Sequence, residues 1–224
     1  MKKPILVLIL LAVSASVALA AQSRAYYFTM AMLQSVYQFN EANEFMQKST
    51  DTEDKAAAAN LIGRSVSTMK KAKSIIQPWL NDADNKITRP ADAIDRGLDV
   101  FLADAATLSS FLERAKRGEN VGEEEGIAYA MEGEKRQDAA YLNMGSAIAN
   151  YSPEGLTKKE RGQLLMRIFI LFDKELKKYR FHPTEVTEVV IGISALESRL
   201  QGKDIEKNPY FKMLLNGEAP FPEK

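Results

Sequence analysis

The sequence predicts an all-α protein: an antiparallel up-down bundle of about six long helices plus a short C-terminal helix. Three observations carry this. Apolar residues recur at steps of three and four along almost the whole chain, which gathers side chains on one face of a helix. No alternation of apolar and polar residues runs long enough for a strand. The connections between periodic segments are short, which favours antiparallel neighbours.

The first twenty residues read as an address. Met1-Lys2-Lys3 is a basic start, an apolar run follows from Pro4, and Ala18-Leu19-Ala20 fits a small-x-small cleavage site. This is the layout of a secretory signal peptide, with cleavage expected after Ala20. The competing reading is a retained anchor, but its apolar stretch, residues 5–20, is shorter than the ~20 residues of a usual span. No Cys follows, so no lipid can be attached to an N-terminal Cys. Cleavage leaves 204 residues with 28 basic and 30 acidic groups, a net charge of −2. The compact, Lys-initiated leader points to a bacterial periplasm or beyond, with no membrane span in the mature chain.

The helices follow in order. The first carries Phe28, Met32, Val36, Phe39, Ala42 and Met46 on one stripe. The second carries Ile62, Val66, Met69, Ala72, Ile76, Trp79 and Leu80. The third is the most regular: Ile94, Leu98, Phe101, Ala105, Leu108, Leu112 and Ala115 alternate steps of four and three, the pattern of left-handed bundle packing. Pro90 is expected at its start and Gly118 as a left-handed cap at its end.

The fourth helix is expected over residues 123–150, with Glu123, Glu124 and Glu125 at its N-terminus, where the helix dipole favours acids. Its stripe is Ile127, Met131, Tyr141, Met144 and Ile148. Thr157 and Glu160 form a capping box for the fifth, whose stripe is Leu165, Ile168, Phe172, Leu176 and Tyr179. His182-Pro183 breaks the chain, and Pro183 is expected to open a sixth helix with Val186, Val189, Ile193, Leu196 and Leu200 facing inward. Gly202 closes it. A short helix runs from Asn208-Pro209 to Asn216-Gly217, and the tail, residues 219–224, is expected to be extended.

The first four helices average about 27 residues, roughly 40 Å each. Turns are expected at residues 82–89, 119–122 and 151–156. No linker, low-complexity tract or helical repeat interrupts residues 21–224, which read as one domain with a possible subdivision near residue 152.

Composition excludes much chemistry. The 224 residues include no Cys and one His, so disulfides, thiolate sites, multi-His metal centres and Cys nucleophiles are out, and no cofactor is expected. Thirty basic residues balance thirty acidic ones, and nucleic acid is not an expected partner. The basic pairs Lys70-Lys71, Lys158-Lys159 and Lys177-Lys178 are interleaved with acids and form no sustained patch, so neither nucleic-acid nor membrane-surface binding is expected. His182, at a helix break, is expected to cap a helix or lie at the surface. No Gly-x-Ser-x-Gly, P-loop or dinucleotide fingerprint occurs.

The unusual feature is the middle of the fourth helix. Gly133-Glu134-Lys135-Arg136-Gln137-Asp138 interrupts its apolar stripe. If the stripe continues inward, Glu134 and Gln137 enter the bundle and require partners. Tyr37, Asn40 and Glu44 are the candidates on the first helix, which also turns polar midway. The candidate ligand site is therefore Tyr37, Glu44, Glu134, Gln137 and Tyr141; the alternative is a helix that drifts outward and exposes this segment. Function follows in three readings. The first is an exported, non-enzymatic protein binding an envelope protein or a small apolar ligand. The second is a carboxylate-dependent hydrolase of an envelope polymer, for which the possible acids include Glu41 and Glu44, Glu132 and Glu134, Asp173 and Glu175, and Glu185 and Glu188; Asp92, Asp95 and Asp99, also possible, read rather as an acidic ridge along the edge of the third helix, tempered by Arg96. The third is a self-associating envelope component using an outward-facing stripe on the third helix.

Overall fold

The computed structural model describes residues 3–119 and 122–220, with side chains described from residue 24 onward apart from that of residue 123. The leader reading, residues 1–20, falls where no side chain is described. Among the described residues seven α-helices make up the fold: α1 (Lys3–Thr50), α2 (Lys55–Ile76), α3 (Asn85–Lys116), α4 (Glu123–Asn150), α5 (Lys158–Phe181), α6 (Glu188–Leu200) and α7 (Pro209–Leu215). Among the described residues there is no strand, and no helix is long and apolar enough to cross a membrane.

Local chemistry sets the boundaries. Asp54 starts α2 by accepting hydrogen bonds from the Ala56 and Ala57 amides, and Asp84 starts α3 by accepting from Lys86. Thr157 and Glu160 form the expected capping box of α5. Gly118 and Gly202 adopt positive φ directly after α3 and α6, a backbone conformation that side chains disfavour.

Three prolines correct the sequence reading. Pro90 lies inside α3, because Asp84 nucleates the helix earlier and brings Ile87 into the core. Pro183 opens only a 3-10 turn, Pro183–Glu185; Val186 is extended, and α6 begins at Glu188. Likewise Pro78 turns the chain out of α2, so Trp79 belongs to a 3-10 turn and meets Phe28 edge-on at 5.4 Å. In the tail, Pro220 is buried, and residues 221–224 lie outside the described residues.

The long helices form a closed ring in the order α5, α1, α2, α3, α4, α6, with α6 returning to α5 and α1 touching α3 across the middle. Consecutive helices alternate in direction. Ser35 bonds the Ala72 carbonyl and Ser65 the Ala42 carbonyl, so α1 and α2 are antiparallel. Asp104 meets Gln137 while Arg114 meets Glu125, so α3 and α4 are antiparallel. The ring closes through two parallel contacts. Gln34 and Tyr37 of α1 meet Arg167 and Phe172 of α5, and Gly145 and Ala149 of α4 meet Gly192 and Arg199 of α6.

One cluster of buried apolar residues draws from α1 through α6. A second joins Ala149, Ile191, Ala195, Ile205, Phe211 and Leu214 under α7. Between them α6 is enclosed on all sides: every residue from Val189 to Ser194, and on to Leu196, is buried. Its sequence, apolar all round rather than on one stripe, explains that position. Glycines make its contact with α4 possible. A Cβ on Gly192 would lie 2.5 Å from the Gly145 carbonyl oxygen, so the two backbones touch directly.

Candidate functional site

The polar middle of α4 lines a cleft of about 600 Å³ between the C-terminal part of α1, the second half of α3 and the first half of α4. Sequence explains the hollow. The residues α4 turns toward α3 include Gly126, Ala130 and Gly133, which cannot fill the space. This corrects the expected stripe: Ile127 and Met131 point outward, at 53% and 59% exposure. Helix α4 nevertheless runs unbroken through Gly133.

The floor is aromatic. Phe101 packs edge-on against Phe39 at 4.8 Å and against Tyr141 at 5.0 Å. The Tyr141 hydroxyl accepts a hydrogen bond from the Asn43 amide. Burial pushes this hydroxyl up to about 12, with Asn43 opposing the shift and the Glu188 and Asp138 carboxylates adding to it, so Tyr141 stays protonated at neutral pH. Leu108, Phe111 and Met46 extend the apolar wall.

One polar knot closes the cleft's side. Asp104 of α3 is buried; its Oδ1 accepts from Arg136 at 3.0 Å and its Oδ2 from Gln137 at 2.9 Å. The Tyr129 hydroxyl donates to the Asp104 carbonyl at 2.7 Å. Burial, reinforced by the Asp104 charge, pushes Tyr129 up to about 12. The knot therefore answers the demand that polar residues entering a bundle find partners.

The five sequence-derived site residues divide. Glu134, Gln137 and Tyr141 line this one cleft. Tyr37 and Glu44 line a separate groove of about 420 Å³ between α1 and α5, where Tyr37 meets Phe172 edge-on at 6.4 Å. Glu44 is exposed and pairs with Lys48. From α1 the cleft takes Asn43 in their place. Asn43, Asp104 and Tyr129 are absent from the sequence reading. Asp104 carried a signal: it lies three residues after Phe101 and four before Leu108, an acid on an otherwise apolar face.

Both oxygens of Asp104 are engaged, while Glu134 and Asp138 are exposed at the rim. No pair of free acids faces across the cleft as glycoside hydrolysis requires. Asp95 and Asp99 instead share Lys73, at 3.0 and 2.6 Å. His182 is exposed at the end of α5. Among the described residues no three His, Cys, Asp or Glu side chains are grouped to hold a metal. The arrangement can bind a small molecule with an apolar body, met by aromatic faces, and a hydrogen-bonding or cationic end, met by Asn43 and the rim carboxylates. Comparison with protein-family models, curated proteins and solved structures gave no match.

Proposed function

We propose that this chain is an exported, non-enzymatic binding protein of the bacterial periplasm or cell envelope, and that the cleft between α1, α3 and α4 receives a small, mostly apolar ligand. The observation carrying this reading is the cleft itself: about 600 Å³, with a rigid aromatic floor and a polar side whose hydrogen bonds are already made. Export rests on the leader at residues 1–20. The absence of Cys fits a protein of this length, which holds its shape by helix packing.

Of the acids the hydrolase reading draws on, Asp95 and Asp99 share Lys73, and Glu41, Glu44, Asp173 and Glu175 line the groove between α1 and α5. The self-association reading draws on the α3 stripe, of which Ile94, Leu98, Phe101 and Ala105 face the core and Leu108, Leu112 and Ala115 are half-buried.

The test uses methyl-labelled methionine and 1-naphthylmethylamine, an apolar aromatic body with a cationic end. A saturable shift of the Met46 methyl resonance is expected, and Ala130→Trp, which fills the cleft, should abolish it. Absence of a saturable shift up to the probe's solubility limit, or an unchanged shift in Ala130→Trp, would remove the cleft as a ligand site.

A further inference from the structure

Helix α5 presents an outward face that packing does not explain. Met166, Phe169, Ile170 and Phe181 are 58%, 60%, 63% and 75% exposed, four of the largest apolar exposures among the described residues. The first three stand at i, i+3 and i+4 and form one continuous ridge. At 3.6 residues per turn, they share an arc of about 140° with Lys159, Lys174, Lys177 and Arg180. The apolar ridge is thus flanked by cations on both sides along the helix.

The same helix holds the chain's charge asymmetry. Residues 158–181 carry eight basic and three acidic side chains, a net of +5, in a chain of net charge zero, which leaves −5 on the rest. Along the sequence the basic pairs look interleaved with acids; folding sorts them. Asp173 is the one acid within the arc, and it bonds Lys177 at 2.7 Å. Glu160 is tied to Thr157 in the capping box, and Glu175 turns into the groove shared with α1, whose edge Ile170, Asp173 and Lys174 of the outward face also line. Glu41 and Glu44 lie across that groove, Glu44 paired with Lys48.

We propose that the outward face of α5 docks on the surface of a bilayer rich in anionic lipid. Met166, Phe169 and Ile170 enter the headgroup layer, while Lys159, Lys174 and Arg180 lie at phosphate level. Charge complementarity selects this occupant. A second copy meeting this face of α5 would set four cations and one acid against the same set, +3 against +3, which opposes a two-fold dimer. Shape agrees: the apolar residues form a convex ridge on one helix, suited to a soft interface, with long basic side chains able to extend beside it.

The experiment exploits the absence of Cys, which permits a single labelled position in the full chain. An environment-sensitive nitrobenzoxadiazole dye is placed at Met166→Cys, and in a second sample at Ser110→Cys, exposed on α3 across the ring. Vesicles of phosphatidylglycerol with phosphatidylcholine should brighten and blue-shift the dye at 166 and leave that at 110 unchanged; pure phosphatidylcholine should affect neither. This pairing separates α5 docking from any lipid affinity of residues 5–20, which would not distinguish the two faces or the two lipids.

Lys174→Gln or Arg180→Gln should each weaken binding about fivefold, and high salt should do the same. Phe169→Ser with Ile170→Ser should abolish the dye response while circular dichroism stays unchanged, since both side chains are exposed. The proposal is overturned by a silent dye at 166 on anionic vesicles, by equal responses at 166 and 110, or by equal responses on both lipids. A dye at 166 that responds to protein concentration without lipid would overturn it in favour of self-association.

Discussion

Replacing Gly192 by Ala tests whether α4 and α6 are held in direct backbone contact. The new Cβ would stand 2.5 Å from the Gly145 carbonyl oxygen and 3.1 Å from its Cα. An unstrained carbon–oxygen contact is about 3.3 Å or longer, so the helices must separate by roughly 0.8 Å. Overpacking costs about 1–3 kcal/mol when side chains can shift. Here the obstacle is backbone, which places the cost near the top of that range, about 3 kcal/mol. The better helix propensity of Ala offsets about 1 kcal/mol. The expected net destabilisation is about 2 kcal/mol. In urea followed by circular dichroism this lowers the midpoint by about 1 M, and in a thermal scan it lowers Tm by about 4–8 °C. Gly63→Ala, exposed in α2 with open space around its Cβ, is the matched control and should stabilise by up to about 1 kcal/mol. A Gly192→Ala protein as stable as the parent would refute the direct contact. Gly145→Ala should cost a similar amount, and the double variant less than the sum, because the first Cβ has already parted the helices.

Four further outcomes are expected. Glu188 has a carboxyl raised by burial, so between its ordinary and raised values the folded state binds more protons than the unfolded, and stability falls as pH rises through that window; Glu188→Gln should therefore stabilise at neutral pH, and equal denaturation midpoints at pH 7 would contradict this. Asp104→Ala should cost about 1–3 kcal/mol by stranding Gln137 and Arg136, at the lower end because Arg136 is half exposed and can reach water; urea unfolding measures it. Thr157→Ala removes the capping box of α5 and should cost about 1 kcal/mol by the same assay. N-terminal sequencing of the protein recovered from the envelope fraction should begin at Ala21; a start at Met1 would refute the cleaved leader.

Sequence periodicity reveals the fold wherever one face of a helix is buried. Ile94, Leu98, Phe101 and Ala105 are all interior, as their spacing requires. It fails in two physical circumstances. Where a helix is enclosed on all sides there is no stripe to find: Val190, Ile191 and Ala195 of α6 are as buried as Val189 and Ile193. Where a helix faces a hollow, the inward residues are small or polar, and the apolar ones mislead. Ile127 and Met131 mark the outside of α4, whereas Gly126, Gly133 and Gln137 mark the inside. The polar interruption at residues 133–138 was therefore legible as an anomaly, and Gln137 and Tyr141 do meet there with Glu134. Their partner on α1 was not legible, because Asn40, Asn43 and Glu44 lie within a turn of one another, and only the crossing geometry places Asn43 at Tyr141. The outward face of α5 was hidden for a related reason: charges that alternate along the chain separate once wound into a helix.

The enclosed position of α6 also bears on how the protein is made. The segment at the centre of the molecule is synthesised after α1 to α5, the rest of the ring. Until Glu188–Leu200 arrives, the slot between α4 and α5 has no filler, and Met144, Ile148, Leu164, Ile168 and Phe172 lack their final cover. Completion of the core consequently waits for α6 and depends on contacts far apart in sequence. A ribosome stalled anywhere upstream releases a chain with an exposed apolar trough, the kind of species that quality-control proteases remove.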